Sequence, residues 1–119
     1  MALTKISSGV ISDEFQTSSS ISGSTSPQTV DWNSSQIFRI TPNAPITLNF
    51  TDYKIGMVKI IVATGDGVAA NVLTFDEPGA ILLGGTFDTT LGTKNFIQII
   101  CTDDDGTPEF FYTISQQPS

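Results

Sequence analysis

Residues 29–63 read TVDWNSSQIFRITPNAPITLNFTDYKIGMVKIIVA, a series of short apolar runs separated by turn residues. The pattern continues to Gln116, and short runs bounded by Gly, Pro, Asn and Asp are typical of β-strands. The runs span residues 29–32, 36–41, 45–50, 56–63, 70–75, 80–87, 95–102 and 110–115. Because no helical periodicity accompanies them, we expect an all-β fold: a single antiparallel β-sandwich, jelly-roll-like, of about eight strands.

Turn signals divide these runs. Gly-Asp-Gly at 65–67 predicts a hairpin turn, because glycine adopts positive φ without strain. Asp-Glu-Pro-Gly at 76–79 predicts a second turn, and residues 103–108 a third that joins two C-terminal strands. Gly-Gly at 84–85 indicates a bulge or a close backbone contact between strands.

Residues 1–28 differ in composition from the rest, since nine of them are Ser. Such a segment alone buries too little apolar surface to offset the entropy lost on ordering. Apolar residues nevertheless recur along it, and we expect an extended N-terminal arm with docking anchors at Leu3, Ile6, Val10, Ile11 and Phe15. The alternative is a disordered tail or linker. We therefore divide the chain into an arm, 1–28, and a β-sandwich body, 29–119.

The chain is acidic, with 12 Asp and Glu against 5 Lys and Arg and a net charge of −7. The basic residues are scattered and form no stripe that could neutralise phosphates, so we expect no nucleic-acid partner. No apolar segment approaches membrane-spanning length, and the first ten residues do not read as a secretory signal. We expect no membrane partner and synthesis in a cytoplasm.

The sequence offers little for catalysis. Histidine is absent, which excludes Ser-His-Asp and Cys-His arrangements. Asp103, Asp104, Asp105 and Glu109 fall in one tight turn, whereas glycoside hydrolysis needs carboxylates that face each other across a cleft; the spacing also fails the calcium-loop pattern. Cys101 lies inside an apolar run and is expected to be a buried thiol. We predict no catalytic residues, no metal site and no cofactor, and therefore no enzyme.

Two runs carry apolar residues on both faces. Only Lys59 interrupts the run at 56–63, and in the run at 95–102 Phe96 and Ile100 lie opposite the other apolar residues. Since a monomeric sandwich strand alternates apolar and polar residues, the second face should be covered by another subunit. We expect an oligomer face at Met57, Phe96 and Ile100. The alternative cover is the chain's own leader or loops.

Aromatic side chains could also bind a glycan, because sugars stack on aromatic faces. Trp32 and Tyr53 are the candidate glycan contacts. Packing of Trp32 into the sandwich edge or a subunit seam is the competing interpretation.

The order of short motifs adds to their composition. Asp-Trp at 31–32 opens the series, followed by ITLNF at 46–50, GMVKIIV at 56–62, LTF at 73–75, GGT at 84–86 and Phe-Tyr at 111–112. This order resembles a recurring β module of tailed-bacteriophage virion proteins, of the head-decoration or tail-fibre type. Residues 1–11 likewise resemble the opening of phage tail-fibre and structural proteins.

The resemblance implies a homotrimeric, non-enzymatic virion structural protein, assembled in the host bacterial cytoplasm. We expect a capsid decoration (cement) protein that binds and stabilises the major capsid shell through its N-terminal arm and trimeric body. The alternative is a small tail-fibre or host-recognition subunit among tail proteins, which contacts a receptor glycan through Trp32 and Tyr53.

Overall fold

The computed structural model describes residues 17–77 and 79–117, and within them the chain is all-β without a helix. Each of the eight predicted runs contains a strand, and one further strand precedes them. The strands are β1 (Ser18–Ser20), β2 (Gln28–Asp31), β3 (Ile37–Ile40), β4 (Ile46–Thr51), β5 (Val58–Thr64), β6 (Leu73–Phe75), β7 (Ala80–Gly84), β8 (Lys94–Asp103) and β9 (Glu109–Gln117).

The first six strands alternate between two sheets. The six-stranded sheet has the order β1-β3-β5-β8-β9-β7, and the three-stranded sheet has the order β2-β4-β6. After each of these strands the chain crosses to the opposite sheet and forms one strand there. When it returns to the first sheet, it runs in the same direction as before. Neighbours such as β1 and β3, or β2 and β4, are therefore parallel.

The prediction of an antiparallel sandwich is wrong for most strand pairs. In the described part of the chain five pairs are parallel and two, β5–β8 and β8–β9, are antiparallel. A jelly roll is built from antiparallel neighbours, so this winding does not follow the jelly-roll path. Alternating apolar residues identify strands, but they do not tell whether the next strand turns back beside its predecessor or crosses to the other sheet.

Of the predicted turns, some agree with the structure and one does not. The hairpin expected at residues 65–67 is wrong, because β5 and β6, which flank it, belong to different sheets. The Ala80 amide donates to the Glu77 carbonyl at 3.0 Å, as in the predicted turn, but the flanking strands β6 and β7 belong to different sheets. Residues 103–108 join the antiparallel strands β8 and β9, as predicted.

One apolar core lies between the two sheets. The three-stranded sheet contributes Val30, Ile46, Leu48, Phe50 and Leu73. The six-stranded sheet contributes Phe38, Ile40, Ile61, Ala63, Ile97, Ile99, Cys101 and Phe110, and Trp32 follows β2. The core forms because alternate residues of a strand point towards the opposite sheet. β8 shows this most clearly, since its residues alternate between exposed and buried along its length. Cys101 is buried, as its position in the sequence predicted.

The division of the chain at residue 28 stays a prediction. Residues 1–16 lie outside the described residues, and the rest of the predicted arm forms β1 and its connection to β2. β1 pairs with β3 from Ser18 to Ser20, and the Ile21 amide then donates to the Arg39 carbonyl at 2.8 Å. The Ser-rich segment therefore adds an edge strand to the six-stranded sheet.

A bulge and a close backbone contact end β7, as the Gly-Gly pair indicated. The pairing of β7 with β9 shifts register between Leu82 and Gly84. Gly85 has a φ of 89°, and a Cβ placed on it would lie 1.8 Å from the Ile114 carbonyl oxygen. Only glycine satisfies both conditions, whereas a Cβ on the neighbouring Gly84 would meet nothing within 4 Å.

We expect Gly85→Ala to lower the free energy of unfolding by at least about 2 kcal/mol. A positive φ alone costs an L-residue about 1–2 kcal/mol, and the overlap with the Ile114 carbonyl adds to that. The matched control is Gly84→Ala, which should change stability by less than about 0.5 kcal/mol. Urea unfolding of both variants, followed by circular dichroism, makes the comparison; equal stabilities would contradict the close contact.

Candidate interaction surface

The outer face of the six-stranded sheet carries a continuous apolar row. Val58 pairs with Ile100, Ile100 with Phe111, and Phe111 with Ile81. Residues directly opposite one another on neighbouring strands point to the same face, so the four side chains lie side by side across β5, β8, β9 and β7. Ile100 is 38% exposed and Ile81 42% exposed. The row thus leaves apolar surface in contact with water.

Further apolar side chains widen this row into a face. Val62 pairs with Phe96, which is 43% exposed, and Ile37 pairs with Ile60. The row that contains Ile37 and Ile60 is mixed, because Ile60 pairs with Gln98 and Gln98 with Thr113. A shallow groove of about 250 Å³ follows the sheet here, lined by Val58, Leu83, Gln98, Ile100, Phe111, Tyr112 and Thr113. We call the apolar residues of this surface the outer face: Ile37, Val58, Ile60, Val62, Ile81, Phe96, Ile100 and Phe111.

β7 forms the exposed edge of the outer face. Among residues 17–77 and 79–117 it pairs with β9 on one side, and no strand pairs with its opposite side. Leu82 and Leu83 are 43% and 64% exposed, so the strand presents apolar side chains at this edge. Natural proteins usually protect such an edge with charges, proline or a covering segment. An apolar, unprotected edge strand is a surface to which another chain can add.

The structure brings together two of the three residues predicted for an oligomer face. Phe96 and Ile100 both point outward from β8 onto the outer face. Met57 is half-buried and packs against the core instead. The predicted arm anchors Leu3, Ile6, Val10, Ile11 and Phe15 lie outside the described residues.

The predicted glycan contacts belong to an aromatic cluster in the core. Trp32 has no exposed surface, and its ring centroid lies 5.3 Å from that of Phe50, 5.5 Å from that of Phe110 and 6.3 Å from that of Tyr53. A sugar cannot stack on a ring that is covered on all sides, so the packing interpretation is the one that the structure supports for Trp32. Tyr53 is half-buried beside it, and burial raises the pKa of its phenol.

Three carboxylates of the acidic turn accept hydrogen bonds from nearby amide and hydroxyl groups of the protein. Asp103 Oδ1 accepts from the Asp105 amide at 2.9 Å, and Asp104 Oδ2 accepts from the Ile55 amide at 3.2 Å. Glu109 Oε1 accepts from the Thr102 hydroxyl at 2.7 Å. Among residues 17–77 and 79–117 no group of three or more His, Cys, Asp or Glu side chains is arranged to hold a metal ion.

A second pair of carboxyl groups lies where the neighbouring strands β2 and β4 of the three-stranded sheet end. Asp31 ends β2 and accepts from the Asn33 amide at 2.9 Å, and Asp52 follows β4 with a φ of 62°. A hydrogen bond to Asp31, and then repulsion from its charge, raise the pKa of the Asp52 carboxyl, while Lys54 opposes the rise. The Asp52 carboxyl therefore keeps its proton to a higher pH in the folded protein than in the unfolded chain.

The sequence-based reasoning did not predict that the polar side chains of Asn95 and Lys59 are buried. Asn95 is fully buried; its Nδ2 donates to the Ala63 carbonyl at 3.0 Å and to the Asp88 carbonyl at 2.9 Å. Lys59 is 1% exposed, and its Nζ lies 3.4 Å from Gln36 Oε1. The only signal for Lys59 was a single charge inside an apolar run, at a position that shares the inward face of β5 with Ile61 and Ala63.

Comparisons with protein-family models, curated proteins and solved structures found no match to this chain. A search of the described residues for a helix long and apolar enough to cross a membrane found none.

We expect Trp32→Ala to lower the free energy of unfolding by about 3–5 kcal/mol, because it empties the centre of the aromatic cluster. Leu91, which is 69% exposed, provides the control: Leu91→Ala should cost less than about 0.5 kcal/mol. Chemical denaturation of both variants gives the two values. A Trp32→Ala protein that keeps its stability but loses binding to a glycan would restore the glycan interpretation.

We expect Asp52→Asn to stabilise the protein at pH 7. Because the pKa of Asp52 is raised above its ordinary value of 3.8 in the folded state, wild-type stability falls as pH rises from 3.8 through the folded pKa. Asparagine removes this charge and also tolerates positive φ. The advantage of the variant should shrink towards zero as pH falls below 3.8. Thermal unfolding from pH 3 to pH 8 measures it, with Asp105→Asn as a control; a constant difference would contradict the assignment.

Proposed function

We propose that this chain is a non-enzymatic structural component of a bacteriophage particle: a capsid decoration protein that forms homotrimers and stabilises the shell of the major capsid protein. Two observations support this function: the phage-like order of the sequence motifs and the apolar outer face of the six-stranded sheet. A face of this kind suits a protein whose work is assembly rather than catalysis.

The outer face supports self-association. Large apolar side chains that remain exposed side by side mark an interaction surface more often than a free one. Phe96, Ile100 and Ile81 are each about two-fifths exposed, and they lie on β8 and β7, the two strands that flank β9 in the six-stranded sheet. In the proposed trimer this face lies against the neighbouring subunits, because identical subunits usually assemble with closed symmetry.

The body has the construction expected of a rigid spacer. Its two sheets enclose one core, and we propose that they act together as the sandwich body of the trimer. The N-terminal arm reaches from this body to the capsid, where Leu3, Ile6, Val10, Ile11 and Phe15 serve as anchors. Three arms on one trimer would raise the avidity well above that of a single arm.

The test adds purified protein to heads and tails isolated from the phage particle, and measures both oligomeric state and occupancy. Wild-type protein should sediment as a trimer and saturate heads. Ile100→Lys places an unpaired charge in the outer face and should weaken trimer formation at least about tenfold, because burying such a charge costs several kcal/mol. Replacing Leu3, Ile6, Val10 and Ile11 with Ser should leave the trimer intact but abolish binding to heads.

Thr29→Lys is the matched control, since it adds the same charge at an exposed position of the three-stranded sheet. It should change neither trimer formation nor occupancy. A monomeric wild-type protein, or an Ile100→Lys variant that associates normally, would reject the outer face as the interface. Binding to tails in place of heads would reject decoration and favour the tail-fibre alternative.

A further inference from the structure

The side of the six-stranded sheet that carries the outer face has two basic side chains at one end. Arg39 pairs with Val62, and Val62 pairs with Phe96, so the exposed Arg39 lies in the same row as Phe96. Lys94 is exposed two positions before Phe96 on β8 and therefore points to the same side. We call Arg39 and Lys94 the basic end. Because the chain has only 5 basic residues, this end departs from its acidic character.

The other end of the same side is acidic. Glu109 lies two positions before Phe111 on β9, and its Oε1 accepts from the exposed Thr102 hydroxyl at 2.7 Å. Its carboxylate is therefore on the outer side of the sheet. Three more acidic residues belong to the turn that joins β8 to β9 at this end. We call this group the acidic end: Asp103, Asp104, Asp105 and Glu109.

The two ends are too far apart to neutralise each other within one chain. Phe96 marks the row of Arg39, and Thr102, which is bonded to Glu109, lies six positions further along β8. At about 3.4 Å per residue the two rows are about 20 Å apart. Exposed charges are largely screened beyond about 8 Å at physiological ionic strength. Each end is therefore available to the opposite charge of a partner.

Other charges near the two ends leave this polarity in place. Asp66 and Asp88 lie in loops near the basic end, where their carboxylates accept from backbone amides two residues further on. The Asp88 amide also donates to the buried Asn95 at 2.8 Å, so its loop is attached on the inner side of the sheet. Lys54 adds one positive charge next to the acidic end, against four carboxylates.

We propose that copies of this chain associate through the outer face head to tail, with the basic end of one copy against the acidic end of the next. The apolar residues alone give no preferred orientation, because the hydrophobic effect is non-directional. Opposite charges at the two ends do, since complementary charges fix the register of an interface and like charges oppose each other across it. A second copy is the partner that carries both the apolar surface and the matching charges.

This inference rests on the proposed function in one respect, because it takes the outer face as an interface between copies. It adds the direction of the strands in the trimer. If the strands ran along the threefold axis, three basic ends would meet at one end of the axis and three acidic ends at the other. Head-to-tail contact requires the strands to run around the axis, so that Arg39 and Lys94 of one subunit face Glu109 of the next.

Two charge-reversed variants of the full-length protein test the arrangement. The basic-end variant carries Arg39→Glu and Lys94→Glu, so both of its ends are acidic. In the acidic-end variant both ends are basic, while asparagine keeps the side-chain oxygens that accept hydrogen bonds in the turn; its substitutions are Asp103→Asn, Asp104→Asn, Asp105→Lys and Glu109→Lys. Each variant should raise the dissociation constant of the assembly at least about tenfold, because like charges then meet.

A chain that carries all six substitutions has its two ends exchanged. It should associate more tightly than either variant, within about fivefold of wild type, because unlike charges meet again. Analytical ultracentrifugation measures the dissociation constants, and circular dichroism checks that each chain is folded. If a variant does not fold, the wild type decides: its dissociation constant should rise as NaCl increases from about 0.05 to about 0.5 M, and a constant that falls or stays unchanged would overturn the proposal.

The two variants also separate a specific contact from the effect of overall charge. The basic-end variant makes the acidic chain more negative, whereas the acidic-end variant makes it less so. Net repulsion alone would weaken association of the first and strengthen that of the second, and this result would overturn the proposal. Wild-type assembly that neither variant weakens would also overturn it but would leave the proposed trimer in place. A monomeric wild type would reject both.

An equimolar mixture of the two variants reports how many copies close the assembly. Unlike variants attract each other at both ends, but a head-to-tail ring of three always keeps one contact between like ends. The mixture should therefore recover only part of the wild-type affinity. Full recovery as a pair of one copy each would keep the head-to-tail contact and reject the trimer, and no recovery at all would overturn the head-to-tail contact.

Discussion

The structure depends on the contact between Phe50 and Phe110 across the core, with Trp32 packed against both. Phe50 belongs to the three-stranded sheet and Phe110 to the six-stranded sheet, and their ring centroids lie 5.1 Å apart. Trp32 follows the second strand, whereas Phe110 belongs to the last. The aromatic cluster therefore joins the two sheets and also the early and late parts of the chain. Together with the aliphatic residues of the core, it holds the small sheet on the larger one.

Strand positions could be predicted well because most of the strands have one face in this shared core. Apolar residues alternate wherever a strand faces the core and water, and β8 shows this from Asn95 to Cys101. Pairing could not be predicted in the same way. Residues 65–67 have the composition of a hairpin turn, yet they connect strands in different sheets. β1 was missed because its three Ser residues carry no apolar alternation; it is held through its backbone by the free edge of β3.

The candidate interaction surface was predictable in part for the same reason. Phe96 and Ile100 stand out because they interrupt the polar side of β8. That Ile81 and Phe111 continue the row follows from the register between strands, which only the structure provides. Met57 shows the converse: its apolar character is visible in the sequence, but the side chain packs inward. The role of Trp32 was equally ambiguous in the sequence, since an aromatic residue beside a turn can either pack in the core or contact a ligand.

The alternating path of the first six strands has a mechanical consequence. Two successive strands, one in each sheet, form one coil of the chain. Each coil pairs mainly with the coil that follows it, as in proteins built from stacked repeats. Among the described residues, a pull applied at the N-terminal side meets β1 first, a three-residue strand that pairs with β3, and then releases the coils one after another. A pull applied at the C-terminal side meets β9, which pairs with β8 along nearly its whole length and with β7 from Phe110 to Thr113. The described part of the chain is thus held more firmly at its C-terminal side than at its N-terminal side, and a load on the N-terminal side would detach β1 before it reached β2 and the aromatic cluster at Trp32.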